Sequence, residues 1–224
     1  MTIPSLGQLD SERASWNDDM YAAHPTPYAR GLARHIELAR VRTVVAFAAI
    51  RPSDAVIEIG CEAGNLLAAL PPARRIVGVD ISLRALADAQ RRFASLRRTV
   101  ELFQVDAERG LPFAQGEFDV ILCSEMLEHT SDPGAVIRHI HGVATPQTRV
   151  IISVPHERPK VRLKELLHRV GLLRLVGDVE PHRSEWHTQE FSPSMLNALL
   201  GPLFVIERAR MVWATHYVVS LRPR

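Results

Sequence analysis

Ala55-Val56-Ile57-Glu58-Ile59-Gly60-Cys61-Glu62-Ala63-Gly64, with Ile76-Val77-Gly78-Val79-Asp80 following it, is the stretch that decides how this chain folds. Both apolar runs are short and β-branched, which predicts strands over 55–59 and 76–80. Between them lie a glycine turn over 60–64 and a helix over 65–70 stopped by Pro71-Pro72. Strand, turn, helix and strand in that order form one parallel crossover unit.

The same alternation continues outward. Ser82 is placed to cap a helix over 83–96 whose polar face carries Arg84, Asp88, Arg91 and Arg92. Strands follow over 100–105, 118–123 and 149–154, with a proline-initiated helix over 133–143. Upstream, Leu32, Ile36, Ala39, Thr43 and Phe47, flanked by Ala33, Arg40 and Val44, recur at helical spacing across 29–50, and Arg51-Pro52-Ser53-Asp54 closes that helix. Residues 1–28 are polar and proline-bearing and read as an irregular arm with one short helix near 16–21. Downstream, a polar, histidine-bearing insertion over 155–191 precedes a helix at 193–200 and strands at 204–209 and 213–221. The expected fold is α/β: a doubly wound, mostly parallel sheet covered on both faces, in a single domain over 1–224. Within it, 1–50 is arm and first helix, 54–154 the core, 155–191 the insertion, and 192–224 the closing helix and strands.

Composition narrows the class. Of 224 residues, 46% are hydrophobic and 23% charged, which excludes a disordered, collagen-like or coiled-coil chain. Lys+Arg 27 against Asp+Glu 25 leaves +2, too even a balance to make nucleic acid the expected partner. Cys61 and Cys123 give no disulfide framework, so a reduced, cytoplasmic setting is expected. The longest uncharged apolar run, 44–50, is far short of the ~20 residues that span a bilayer, and no secretion leader is read at the amino terminus.

A glycine turn after the first strand and an acid closing the second form the pattern of a nucleotide bound at the carboxyl edge of a parallel sheet. Spacing G-x-x-x-G differs from the dinucleotide fingerprint, which argues against nicotinamide or flavin. The competing structural reading is a plain tight turn, with Asp80 and Asp106 capping helices. Further on come Asp106-Ala107, Leu111-Pro112-Phe113, Glu117-Phe118-Asp119-Val120 and Cys123-Ser124-Glu125-Met126-Leu127-Glu128-His129. In this order the segments resemble the class I S-adenosylmethionine-dependent methyltransferases over about 56–154. The resemblance implies a seven-stranded, Rossmann-like sheet whose last strand is antiparallel. It also implies a cofactor site in which Gly60, Cys61 and Gly64 bring backbone amides to the methionine half. Asp80 would accept both ribose hydroxyls, Ile81 would lie on the adenine face, and Asp106 with Ala107 would meet the adenine edge. Glu58 and Ser124 complete the expected cofactor set. Where such proteins carry a third glycine this chain has Glu62, whose side chain is expected to turn to solvent.

Glu125-x-x-Glu128-His129 resembles the corresponding loop of the ubiquinone-biosynthesis O-methyltransferases. If it opens a helical turn, all three side chains share a face, and two carboxylates with an imidazole suit Mg²⁺, Mn²⁺ or Zn²⁺. His182-Arg-Ser184-Glu-Trp-His187-Thr-Gln-Glu-Phe191 is partly similar to a segment of the small-RNA 3′-terminal 2′-O-methyltransferases, which makes His182 a candidate fourth ligand. Without metal, His129 is the expected general base beside Glu125 and Glu128, with His156 and His187 as runners-up. Arg40 and Arg42 either reach the cofactor carboxylate or are solvated. Tyr21, His24 and Tyr28 either close over the site or pack on the first helix. The basic amphipathic stretch 160–176 suits a membrane-surface contact, a lid or a homodimer contact, and aromatics at 6% leave few platforms for single-stranded nucleic acid. The expected reaction is methyl transfer from S-adenosylmethionine to a small-molecule hydroxyl. The alternatives are RNA 2′-O-methylation, metal-free C- or N-methylation, and cofactor binding without catalysis.

Overall fold

The computed structural model describes residues 2–23, 31–156 and 188–224. Seven strands, β1 (Ala55–Ile59), β2 (Arg75–Asp80), β3 (Glu101–Gln104), β4 (Val120–Ser124), β5 (Arg149–Pro155), β6 (Phe204–Val212) and β7 (His216–Pro223), form one sheet in the order β3-β2-β1-β4-β5-β7-β6. The first five strands pair in parallel, and β7 is antiparallel to both β5 and β6. Strand order reverses between β1 and β4, so the crevice outside their carboxyl ends is where such sheets bind ligands.

Side chains of each strand alternate between two apolar layers. Ile57, Ile59, Val79 and Ile121 face one layer with α5 (Pro133–Val143) and α6 (Pro193–Leu200). Val56, Ile76 and Leu122 face the other, with α2 (Gly31–Ala48), α3 (Asn65–Ala69) and α4 (Leu83–Ser95). Burial on both faces accounts for the unbroken apolar strands. The expected caps are present: Ser82 Oγ accepts from Ala85 N at 3.1 Å, and Asp132 accepts from Ala135 N at 2.9 Å ahead of Pro133.

Three details depart from the sequence reading. The buried face of α2 is Ala33, Arg40, Val41, Thr43, Val44 and Ala48, which adds Val41 and Ala48 to the expected positions. Phe47 instead sits at the rim, half-buried, with the Arg208 guanidinium 4.6 Å over its ring. The amino-terminal arm is more regular than expected, because residues 4–6 pair with Gln104 beyond β3 and α1 (Ser11–Ala23) follows. Asp10 opens that helix, accepting from Arg13 N at 3.1 Å. Tyr21 donates to Asp88 on α4 at 2.7 Å and lies in the field of Glu62, while His24 and Tyr28 lie outside the described residues. The stretch 160–176, expected to touch membrane, lid or partner, also lies outside them. Among the described residues no helix is long and apolar enough to cross a membrane.

Candidate active site

The loop after β1 is fixed by its glycines. Gly60 has φ 73°, and a β-carbon there would overlap the Met126 side chain; Gly64, also at φ 73°, would meet the Phe93 ring at 2.6 Å. Both positions therefore need glycine for backbone conformation and for space. The loop's amides are turned inward. Gly60 N and Cys61 N donate to Val79 O at 2.8 and 3.0 Å, Gly64 N donates to Cys61 O at 2.8 Å, and Glu62 N donates to Asp80 Oδ2 at 2.8 Å. Amides expected to reach a ligand are instead taken up in holding the turn against β2.

What surrounds the turn is carboxyl groups. Asp80 accepts Glu62 N on one oxygen and Ser82 N on the other at 2.9 Å. Burial lifts its pKa, opposed by those bonds. Glu58 is 3% exposed and its Oε2 has no hydrogen-bond partner. Burial raises it well above the usual carboxylate range despite the nearby Arg40. Glu62, expected in solvent, is half-buried, with Asn65 Nδ2 3.5 Å from its Oε2. A left-handed backbone (φ 47°) turns its N–H onto Asp80 and keeps its side chain within the site. Burial, then Asp80 and Glu37, push its carboxyl up to about 7. Arg40 is 6% exposed rather than solvated, joined to Glu37 and to Ser124 Oγ, whereas Arg42 is exposed.

Farther along the same edge, Asp106 is occupied by a partner that sequence reasoning missed. Arg13 Nη1 on α1 lies 3.0 and 3.2 Å from its two oxygens, and Glu108 N donates to it at 3.1 Å. The signal was Asp10, a helix N-cap just ahead of Arg13. Ala107 offers its carbonyl to His139 Nδ1 at 2.9 Å, and Ile81 its carbonyl to Gln104 Nε2 at 3.0 Å.

Beyond β4 the chain does not open a regular helical turn. Glu125 is left-handed (φ 55°), and a 3-10 turn, Leu127–His129, follows. The three expected ligands have different neighbours among the described residues. Glu125 is drawn toward β5 and β7, accepting Ser153 Oγ at 3.0 Å and lying 3.3 Å from His216 Nε2. Glu128, 1% exposed, faces His129 Nε2 at 3.9 Å. Among the described residues no group of three His, Cys, Asp or Glu side chains is arranged to hold a metal. The described side chains alone thus do not assemble such a group around Glu125, Glu128 and His129, and His182, the expected fourth ligand, and His187 lie outside the described residues. His156, the other runner-up, is held by its amide, which donates to Thr215 O at 2.8 Å. The described chain resumes against the site, where Thr188 N and Gln189 N donate to Glu128 O at 2.8 and 3.0 Å. His216 carried no sequence signal, being one histidine at the start of a strand. Cys61 and Cys123 are buried thiols whose pKa burial raises, which excludes them as nucleophiles.

Comparison with known proteins identifies the family and the fold. The chain is 33% identical over 122 residues to a ubiquinone biosynthesis O-methyltransferase of Pseudomonas aeruginosa, a match covering 54% of this chain and 53% of that protein. It thus spans about half the length of the curated relatives it matches. Among solved structures, magnesium protoporphyrin IX methyltransferase from Synechocystis PCC 6803, determined with bound SAH, shares the fold at a TM-score of 0.63 and 17% identity, covering 94% of both chains. The cyclase SpnF superposes at 0.70 with 15% identity, over 100% of this chain and 99% of its own, so the fold alone does not dictate one reaction. A family model described as a methyltransferase domain matches residues 32–200, which covers β1 to β5 and the whole cofactor edge, and the chain belongs to that methyltransferase domain family.

Proposed function

We propose that this chain, acting as one cytoplasmic domain, transfers a methyl group from S-adenosylmethionine to a hydroxyl oxygen of a small molecule. The carrying observation is Asp80. Each of its oxygens accepts one backbone N–H, from Glu62 and from Ser82, which fixes the carboxylate at the end of β2. Each oxygen retains acceptor capacity, which suits a vicinal ribose diol presenting two donors. Arg40 is the buried cation of the site and would meet the cofactor's carboxylate.

Bound cofactor supplies an electrophilic methyl group on a sulfonium. The S–CH₃ bond breaks as the O–CH₃ bond forms, so the protein has to align the acceptor, exclude water and take the hydroxyl proton. His129 would take that proton, with the buried Glu128 behind it stabilising the imidazolium. Glu125, tied to Ser153 and His216, would line the acceptor side. The relative's name supports oxygen as the methylated atom.

Calorimetric titration with S-adenosylhomocysteine tests the reading. The wild-type protein binds, and Asp80→Ala weakens binding at least about tenfold, as loss of charge-assisted hydrogen bonds requires. Equal affinity in the two proteins would remove Asp80 from the site.

A further inference from the structure

The turn after β1 is poor in amide donors, since those of Gly60, Cys61, Glu62 and Gly64 are bonded to Val79, Cys61 and Asp80. The site is correspondingly rich in acids. Glu58, Glu62, Asp80 and Glu37 share one electrostatic neighbourhood with Arg40 and Arg92. Within it Glu58 Oε2 is buried with no hydrogen-bond partner. A ligand completing such a site brings positively charged N–H donors to the turn, and an ammonium group brings three. Among the acids, Asp80 has each oxygen on one backbone amide and its remaining acceptor capacity assigned to the ribose, and Glu58 belongs to β1, beneath the turn. Glu62 alone stands on the turn itself. It is held in a left-handed conformation that is strained for a non-glycine residue, a kind of strain that clusters at ligand sites.

We propose that Glu62 is a cofactor-recognition residue of this chain, its carboxylate receiving the α-ammonium group at the methionine end of S-adenosylmethionine. The proposal rests on the cofactor reading above and adds a side chain where related turns present only backbone. It carries a proton signature. In the free protein Glu62 titrates near 7, raised by burial, Asp80 and Glu37 and lowered by Arg92 and Arg40, with Glu58 and the Tyr21 hydroxyl in the same field. An ammonium placed against it favours the ionised form, so binding at or below about pH 7 expels a proton. Affinity rises with pH through that range and then levels.

Titration calorimetry with S-adenosylhomocysteine at about pH 6.5, in buffers of different ionisation enthalpy, reads that proton directly. Wild type is expected to release a substantial fraction of one proton per ligand. Glu62→Gln should abolish that fraction and weaken binding by about tenfold or more. Glu62→Gly, which relieves the left-handed strain, should lose the proton as well. Methylthioadenosine, which lacks the amino-acid end, should bind wild type and Glu62→Gln alike. Proton release that persists in both variants, or an equal loss of affinity for methylthioadenosine, overturns the proposal. Weakened binding by Asp80→Ala with unchanged binding by Glu62→Gln overturns it while leaving the cofactor reading intact. No binding by wild type overturns both.

Discussion

The carboxyl edge of the sheet has two halves built in different ways. Around β1, β2 and α4, the turn is held by neighbours close along the chain or on the adjacent strand, Glu62 N by Asp80, Ser82 by the first turn of α4 and Gly64 by Cys61. Helix α1 adds Asp18 to Ser82 and Tyr21 to Asp88. Around β4, β5 and β7, side chains are met across elements: Ser124 by Arg40 of α2 and Ser153 of β5, Glu125 by Ser153 and by His216 of β7. The turn of the first half is fixed largely by its own short segment. The second depends on the whole sheet assembling, and the insertion leaves and returns beside it, at His156 and Thr188. A shared cofactor with varied acceptors would be served by this division, since the variable chemistry falls in the half assembled from distant parts.

The division can be tested most sharply at His129. If it belongs to the acceptor half alone, His129→Ala lowers kcat by about 10³-fold, within the usual range for a general base, and leaves affinity for S-adenosylhomocysteine unchanged. A loss of cofactor affinity of similar size would merge the halves. Arg40 is the opposite case, joining Glu37 and Ser124 and lying near Glu58. Truncation to Ala strips a 6% exposed cation from buried acids, and we expect a loss of about 3 kcal/mol in urea unfolding together with weaker cofactor binding.

Glu62 gives a smaller, pH-dependent effect. Its folded pKa is raised above the unfolded value, so between about 4.5 and 7 the folded state holds a proton that the unfolded state has lost. Stability from this group therefore falls as pH rises through that window. Glu62→Gln should be neutral near the bottom of the window and stabilising by about 2 kcal/mol above its top, flattening the fall of Tm with pH. An unchanged slope would show that Glu62 is not confined with Asp80 and Glu37.

Legibility in the sequence followed the same line. Strands β1 to β5, the Ser82 cap and the proline-started α5 could be read because each rests on local pattern: β-branched runs, a capping hydroxyl, a fixed proline φ. Asp80 could be placed because it ends a strand. Arg40 was ambiguous because periodicity gives the face of a helix but not its partner. The link between Arg13 and Asp106, and that between Glu125 and His216, join residues that no spacing relates. The helical turn assumed at Glu125 was misread for a backbone reason, since the chain there adopts a positive φ that non-glycine residues rarely signal.

The hairpin between β6 and β7 shows the same cause at its mildest. Sequence places the start of the last strand at Trp213, but Trp213 and Ala214 form a turn, with φ 50° and 55°, closed by Thr215 N donating to Val212 O at 3.0 Å. Positive φ at both central residues is the hairpin geometry that normally selects Asn-Gly, and Trp-Ala carries no such signal. The turn also leaves the indole 59% exposed, so little burial offsets the strain. Replacing Trp213 by Asn and Ala214 by Gly should therefore stabilise the protein by about 1 kcal/mol, the gain from left-handed relief outweighing the added unfolded-state entropy of one glycine. Denaturant unfolding measures it. A destabilised double variant would mean that Trp213 holds a contact worth more than the strain, and the acceptor half would then extend to the β6–β7 turn.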